Sequence, residues 1–250
     1  MSFQQSTFSV ADYTRSILSI LLFFLLLLLF TPIIFLLLVM TLGKASNFVV
    51  ESIAPAIAKP VLKMAGVTFR IKKYVKPIPA PAVYVVNHSS TLDVLTILAL
   101  GLPRVRFVAK WQIQYNPIFL ILGRLTGQVF IRREESNKAV ETLRKSVKRI
   151  KKNKLSLLMA PEGSRKHPGI IGPFKKGPFR MAIDLKYPIV PVYFEGNREL
   201  CSGDFLVTKK GTSTAHIFPP VDTSAWEIET IENHINEVRS IYLDWANIRE

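Results

Sequence analysis

The sequence predicts an α/β fold, in which one membrane-anchored domain with a mixed sheet flanked by helices follows an N-terminal hydrophobic helical segment. Three observations lead to this prediction. The chain has 250 residues, which suits a single sizeable domain plus an anchor. Its first quarter contains a long apolar run, and from Val67 onward short β-branched stretches alternate with stretches of helical periodicity.

The apolar run is long enough to cross a bilayer. No charged residue occurs between Arg15 and Lys44, and the 28 uncharged positions 16–43 are dominated by Leu, Ile and Phe. A cleaved signal peptide is the weaker interpretation, because its apolar core is only about 7 to 15 residues long and its front is normally basic. Pro32 permits two arrangements: one long tilted or kinked span, or two short helices that dip into one leaflet.

The residues after this run predict its orientation. The stretch "SNFVVESIAPAIAKPVLKMAG" (46–66) has interrupted apolar positions that suit a further interfacial helix, so we assign residues 1–66 to a membrane-anchoring helical region and 67–250 to the main domain. An excess of basic residues follows the run, and this bias places the rest of the chain on the cytoplasmic side of an inner or cytoplasmic membrane. These basic residues are Lys44, Lys59, Lys63, Arg70, Lys72, Lys73 and Lys76.

The alternation within the main domain predicts seven strands and four helices. The helices are expected at "TLDVLTILAL" (91–100), over 137–152, at "GPFRMAIDL" (177–185) and from Trp226 to the C-terminal region. In the second of these, a buried stripe is expected at Val140, Leu143, Val147 and Ile150. The strands are expected at "VTFRIKK" (67–73), "AVYVVN" (82–87), "VRFVAK" (105–110), "GQVFIRR" (127–133), "LSLLM" (155–159), "PIVPVYF" (188–194) and "TAHIFPPV" (214–221).

The charge is strongly and unevenly positive. The chain carries 33 Lys and Arg against 18 Asp and Glu, a net charge of +15, and the stretch 136–176 alone has twelve basic and two acidic residues. Such a field attracts phosphates, although the basic face of the 137–152 helix is equally consistent with solubility alone or with docking on an anionic membrane. The single cysteine, Cys201, excludes an internal disulfide and a thiolate metal cluster, and no metal site is predicted.

A polar turn, "NHSSTLD" (87–93), interrupts two apolar stretches where a strand passes into a helix. Ser90 and Asp93 match a capping box, and Asn87 suits a cap or a loop contact, so structure alone accounts for these three residues. A structural role of this kind does not explain His88. If His88 lies just before the first helical turn, Asp93 can hold one tautomer of its ring and leave the other nitrogen free as a base. Backbone N–H groups at the helix start are then candidate donors to an oxyanion.

Basic residues and glycines follow at three later turns. "GQVFIRR" ends in Arg132 and Arg133, and guanidinium groups make bidentate contacts to phosphate oxygens. "PEGSR" places Glu162, Gly163 and Arg165 after a strand, and a glycine lets a ligand approach the backbone closely. The stretch "GPFKKGPFRMAI" adds Lys175 and Lys176 beside glycine and proline breaks.

Taken in order, these segments resemble the glycerolipid acyltransferase family, and most closely its bacterial-type 1-acylglycerol-3-phosphate (lysophosphatidate) acyltransferases. The resemblance extends from about Tyr84 to Gly203. The four matching blocks are "NHSSTLD", "GQVFIRR", "PEGSR" and "IVPV", with "FVAK" after the first of them, and four family blocks in the right order are far more specific than any one alone. The sequence departs from the family pattern at Ser89, Arg132 and Ala160, which puts the choice of acceptor in question more than the chemistry.

The resemblance implies both the fold and the roles of particular residues. It makes residues 67–250 an acyltransferase catalytic domain, with His88 as the general base and Asp93 as its orienting partner. It implies that the acceptor's phosphate is bound by Arg133, Glu162, Gly163 and Arg165, with Arg133 preferred over Arg132 because the family's arginine comes last in its block. The expected partners are a lipid bilayer, a lysophospholipid acceptor, and acyl-CoA or acyl-carrier protein as the donor; no cofactor is expected.

Other functions remain open from the sequence. Glycerol 3-phosphate or another lysolipid could replace 1-acylglycerol 3-phosphate as the acceptor. A lipid hydrolase would use a serine nucleophile, and the G-x-S-x-G motif is absent from the chain. A non-catalytic module that binds anionic membranes would need only the basic face. Nucleic acid is not an expected partner, because the bilayer-length segment holds the protein at a membrane.

Overall fold

The computed structural model describes residues 8–132, 134–165, 171–201 and 206–247. Within them a seven-stranded mixed sheet, in the order β1-β7-β6-β2-β5-β3-β4, is flanked by helices. Neighbouring strands are parallel except β6 and β7, which are antiparallel. The predicted fold class is confirmed. The strands are β1 (Val67–Lys73), β2 (Val83–Val86), β3 (Val105–Lys110), β4 (Val129–Ile131), β5 (Ser156–Met159), β6 (Ile189–Glu195) and β7 (Gly211–Ile217).

Nine α-helices occur in the described residues, and a five-residue π-helical turn joins the second to the third. They are α1 (Val10–Met40), α2 (Ser46–Phe48), α3 (Ala54–Met64), α4 (Asp93–Ala99), α5 (Pro117–Leu125), α6 (Ser136–Lys152), α7 (Gly177–Leu185), α8 (Asn197–Leu200) and α9 (Ile231–Trp245). The π-helical turn is Val49–Ile53, and a 3₁₀ turn, Trp111–Tyr115, precedes α5.

The long N-terminal helix is continuous. α1 runs for 31 residues with Pro32 inside it, so the arrangement with two separate short helices is not observed. It is long and apolar enough to cross a membrane, and only 11% of its most apolar 18-residue window is buried, which is unlike a helix in the core of a soluble protein. The exposed apolar surface of α1 indicates membrane association.

One narrow face of α1 packs along the domain from end to end. Its buried residues are Ser16, Ser19, Leu27, Ile34 and Leu38, which recur at multiples of about one helical turn. Near its start the Ser16 hydroxyl accepts a hydrogen bond of 2.9 Å from the Thr208 N–H. Near its end Ile34 and Leu38 pack with partly buried apolar side chains of α5. The helix therefore lies against the folded domain over its whole length.

The remaining elements follow the predicted order with several differences, among them β7, which covers Gly211–Ile217 instead of the predicted 214–221. The helices α5 and α8 and the 3₁₀ turn were not predicted, and the C-terminal helix begins at Ile231 rather than at Trp226. In α6, Leu143 and Ile150 are buried and Val147 packs on the core as expected. Val140 is 44% exposed instead, because it lies beside a small cavity of about 200 Å³ between α6 and the loops after β5.

The sheet order brings two polar loops to one edge. β2 and β5 are parallel neighbours, so the loop after β2, which holds His88, lies beside the loop after β5, which holds Glu162. The C-terminal helix fixes this part of the sheet from behind: the buried Tyr242 hydroxyl donates to the Val85 carbonyl at 2.6 Å and accepts from the Val192 N–H at 3.2 Å. Tyr242 thus links α9 to both β2 and β6.

We expect Tyr242→Phe to lower the free energy of unfolding by about 1 to 3 kcal/mol, because it leaves the buried Val192 N–H without an acceptor. Urea unfolding of the detergent-solubilised protein, followed by circular dichroism, measures the change. Tyr115→Phe is the matched control, since Tyr115 is 77% exposed. An unchanged unfolding midpoint for Tyr242→Phe would contradict this role.

Candidate active site

A histidine and an aspartate meet in the loop after β2. The His88 Nδ1 lies 2.9 Å from Asp93 Oδ2, and because a carboxylate can only accept, the ring nitrogen donates and Nε2 carries the lone pair. The side chain of His88 is 18% exposed, whereas that of Asp93 is 1% exposed. A ligand can therefore reach the histidine of this pair, whereas the aspartate is shielded from solvent. A histidine held in this tautomer can act as a general base.

Asp93 is the centre of a hydrogen-bond network. Its Oδ2 also accepts from the backbone N–H groups of Ser89 and Ser90, both at 2.9 Å. Its Oδ1 accepts from the Asn197 side-chain amide at 2.7 Å. Four donors compensate the burial of this carboxylate, as a buried charge requires. The expectation that these N–H groups serve an oxyanion was wrong for Ser89 and Ser90, because Asp93 already occupies them.

Asn197 was not recognised from the sequence. It lies on α8, is fully buried, and accepts a hydrogen bond of 2.5 Å from the Ser213 hydroxyl on β7. Its amide also donates to the Thr96 hydroxyl at 3.0 Å. An asparagine 104 residues after Asp93 gives no sequence signal, because only the fold of β6, α8 and β7 brings the two together.

The other polar residues of the first loop are structural. Asn87 exchanges two hydrogen bonds with the backbone of Phe194, at 2.7 and 3.1 Å, and so continues the β2–β6 pairing beyond the end of β2. The Ser90 hydroxyl donates to the Cys201 carbonyl at 2.7 Å and accepts from the Leu92 N–H at 3.1 Å. These contacts fix the turn that carries His88.

Glu162 holds the two loops together. Its carboxylate accepts from the His88 N–H at 2.8 Å and from the Gly172 N–H at 3.1 Å, and the residue is 5% exposed. Burial raises the pKa of Glu162 to about 7, although the two backbone hydrogen bonds oppose this shift. Both oxygens of this carboxyl group accept from backbone N–H groups of neighbouring loops, so the side chain is placed to position the loop. The predicted role of Glu162 in binding phosphate stays a prediction.

Gly163 and Arg165 face the cavity beside His88. Arg165 hydrogen-bonds the Thr91 hydroxyl, which connects the loop after β5 to the loop after β2. Gly163 has a positive φ of +70°, and a Cβ there would lie 3.0 Å from the Lys175 ammonium. The glycine therefore leaves room for Lys175 to reach over the loop. Gly163 and Arg165 line the cavity, and their contact with a phosphate stays a prediction.

Two predicted site residues are not brought to the cavity by the described structure. Arg133, predicted to bind the phosphate, lies outside the described residues. Lys176, expected in a supporting role, lies at the surface, where its ammonium pairs with Glu232 of α9 at 2.6 Å. The neighbouring Arg132 pairs with Glu135 at 3.1 Å and lies over the ring of Trp111.

A large, mainly apolar cavity of about 1120 Å³ extends away from His88. Its polar end contains His88, Thr91 and Arg165. Its apolar walls come from α1, the π-helical turn, α4, β3 and α5, including Phe23, Leu27, Ile34, Val50, Phe107 and Phe119. A histidine–aspartate pair and a guanidinium thus stand at one end of a space that suits a long hydrocarbon chain. Among the described residues, no group of acidic, histidine and cysteine side chains could hold a metal ion.

An α/β domain with a histidine–aspartate pair beside a chain-sized apolar cavity has the parts needed for acyl transfer. The chain belongs to the acyltransferase family, whose model, described as "Acyltransferase", matches residues 66–195. All the predicted site residues, from Asn87 to Lys176, lie within this matched region.

Individual relatives agree with this assignment. A 1-acyl-sn-glycerol-3-phosphate acyltransferase of Saccharomyces cerevisiae is 32% identical over 166 residues, covering 66% of this chain and 55% of that protein. One from Haemophilus influenzae is 32% identical over 152 residues, covering 61% and 62%. The chain spans about half the length of several curated relatives that it matches.

A crystal structure has the same fold. That of the 1-acyl-sn-glycerophosphate (LPA) acyltransferase from Thermotoga maritima matches with a TM-score of 0.74, covering 96% of this chain and 99% of that one. The two sequences are 22% identical, so the similarity establishes the fold, including the N-terminal helical region.

The raised pKa of Glu162 predicts a pH-dependent stability. Between about pH 4.5 and 7 the folded protein keeps a proton that the unfolded chain has lost, so this group's contribution to stability falls as the pH rises through that window. Glu162→Gln does not titrate. We expect the stability of the wild type relative to Glu162→Gln to fall by about 2 kcal/mol from pH 5 to pH 8. Urea unfolding at both pH values measures it, and a difference that stays constant with pH would contradict the shift.

Proposed function

We propose that this protein transfers a fatty acyl group from an acyl thioester to the free hydroxyl of 1-acylglycerol 3-phosphate, making phosphatidate for phospholipid biosynthesis. The observation that carries the proposal is the position of the His88–Asp93 pair at the polar end of the long apolar cavity. The relatives named 1-acyl-sn-glycerol-3-phosphate acyltransferase support the same reaction.

In this proposal the His88 Nε2 removes the proton of the acceptor hydroxyl as its oxygen attacks the thioester carbonyl. The imidazolium that forms is stabilised by Asp93, whose remaining acceptor sites are held by Ser89, Ser90 and Asn197. The tetrahedral intermediate then expels the thiolate, which takes the proton back from the imidazolium. The products are an ester and a free thiol, and no covalent acyl-enzyme forms.

The substrates are assigned by the chemistry of the cavity. Its apolar walls suit a fatty acyl chain, and the donor thioester is carried by coenzyme A or acyl-carrier protein. The acceptor's phosphate is assigned to Arg165 and the backbone at Gly163, with Lys175 beside them and Arg133 included from the sequence pattern. Glu162 supports this assignment by fixing the loop that carries Gly163 and Arg165.

The membrane arrangement follows from the packing of α1. A folded domain with a charged surface does not enter hydrocarbon, and α1 lies against this domain along its whole length. We therefore assign α1 to one leaflet, where its exposed apolar face contacts lipid. The basic residues from Lys44 to Lys76 favour the cytoplasmic side for the catalytic domain.

We expect His88→Ala to reduce acyl transfer by a factor of about 10² to 10⁴, because it removes the general base. The assay uses membranes that contain the protein, labelled acyl-CoA and lysophosphatidate, with acyl-carrier protein as an alternative donor. His234→Ala is the matched control, since His234 lies on α9, where it contacts Thr230, Glu237 and Trp226.

Labelled phosphatidate formed by the wild type and the His234 variant, but not by His88→Ala, supports the proposal. Equal turnover in all three proteins removes His88 from the mechanism. Free fatty acid without any acceptor product would instead indicate a hydrolase. Vesicle binding without any turnover would indicate a non-catalytic membrane-binding module.

The phosphate site gives a separate expectation. Arg165→Gln should raise the half-saturation concentration of lysophosphatidate about tenfold or more, while that of the acyl donor changes much less, because only the acceptor's phosphate loses its ion pair. Steady-state kinetics with each substrate varied in turn measures both values, and Arg180→Gln, an exposed arginine on α7, is the control. Equal effects on both substrates would refute the assignment.

A further inference from the structure

A second exposed apolar surface adjoins α1 on the domain itself. It is formed by Ile113 and Tyr115 of the 3₁₀ turn and by Leu120 and Ile121 of α5, and we call it the α5 patch. All four side chains are exposed, Tyr115 to 77%. Contiguous exposed apolar residues of this kind mark an interaction surface.

The position of the α5 patch indicates its partner. The inner face of α5 packs on the C-terminal half of α1, where Leu122 and Leu125 contact the cluster of Ile34 and Leu38. The outer face of α5 therefore adjoins the exposed apolar surface of α1. A surface continuous with a membrane-associated helix is most simply covered by the same membrane.

The border of the α5 patch has the composition of a membrane interface. Trp111 lies at the start of the 3₁₀ turn, and the guanidinium groups of Arg124 and Arg132 lie 5.9 and 4.9 Å from its ring. Tryptophan is enriched at the headgroup level, and arginine can reach lipid phosphates from there while its stem stays in apolar surroundings. The border thus combines an aromatic ring with two guanidinium groups, of which that of Arg132 also pairs with Glu135.

The α5 patch also borders the opening of the cavity. Ile113 and Tyr115 are exposed and line the cavity as well, as does the exposed Val94 of α4. We propose that the α5 patch is a membrane-contacting surface separate from the N-terminal helical region, and that it seats the rim of the cavity in the outer part of a phospholipid leaflet. Membrane attachment then involves the catalytic domain itself, and not only the anchor that precedes it.

Site-specific labelling tests this proposal independently of any activity. The full-length protein with Ile121→Cys is labelled with an environment-sensitive fluorophore and reconstituted into anionic phospholipid vesicles with and without nitroxide-bearing lipids. Cys201, fully buried, remains unlabelled. Ile228→Cys is the matched control, because Ile228 is equally exposed at 41% and precedes α9, far along the chain from α1 and α5.

We expect nitroxide lipids to quench the label at position 121 at least threefold more than the label at 228. Equal quenching at the two positions would overturn the proposal. So would a label at 121 that is shielded from lipid but changes its signal on dilution of the protein, since that result identifies a second copy of the chain as the occupant.

A second experiment rests on the proposed function. The double variant Leu120→Asp/Ile121→Asp changes two exposed side chains that do not line the cavity. In this variant, the ratio of activity on vesicle-bound lysophosphatidate to activity on detergent-dispersed lysophosphatidate should fall at least fivefold. An unchanged ratio contradicts the role of the α5 patch. If the wild type shows no transferase activity, the proposed function fails while the labelling result still decides the membrane contact.

Discussion

The buried carboxylate of Asp93 is the interaction on which the site depends. A charge that is 1% exposed would be strongly destabilising unless hydrogen bonds replace its water. Here the replacement comes from His88, from the backbone of the following two residues and from Asn197. The same contacts that make the burial tolerable also fix the histidine ring and the turn that carries it. Stability and pre-organisation of the site are therefore one property of this network.

The loops are held at two further points that involve no reacting group. Glu162 joins the backbone at His88 to that at Gly172, and Asn87 extends the pairing of β2 with β6. The hydroxyl of Tyr242 adds a contact from the opposite side of the sheet. A site supported from several elements in this way needs little rearrangement when a substrate arrives, which is what general base catalysis at a fixed distance requires.

The sequence predicted the elements well where the pattern is local. β1, β3 and α7 have the predicted bounds, because alternation and helical spacing are properties of neighbouring residues. α5 was missed because it is only nine residues long, and the periodicity of a short apolar run does not by itself distinguish a helix from a strand. The His88–Asp93 pair was predicted because both residues belong to one turn. Asn197 and the ion pair of Lys176 with Glu232 were not, because their partners are brought together only by the sheet order and by the packing of α9.

The contact of α1 with the domain has a consequence for how such a protein can change. Phe23, Leu27 and Ile34 belong to the helix that meets the lipid, yet they also form part of the cavity wall. Exchanging α1 for an unrelated apolar helix of equal length would keep the protein on the membrane and remove one wall of the cavity. The anchoring helix and the cavity must accordingly evolve together. The side chains on the inner face of α1 are subject to selection for shape as well as for hydrophobicity.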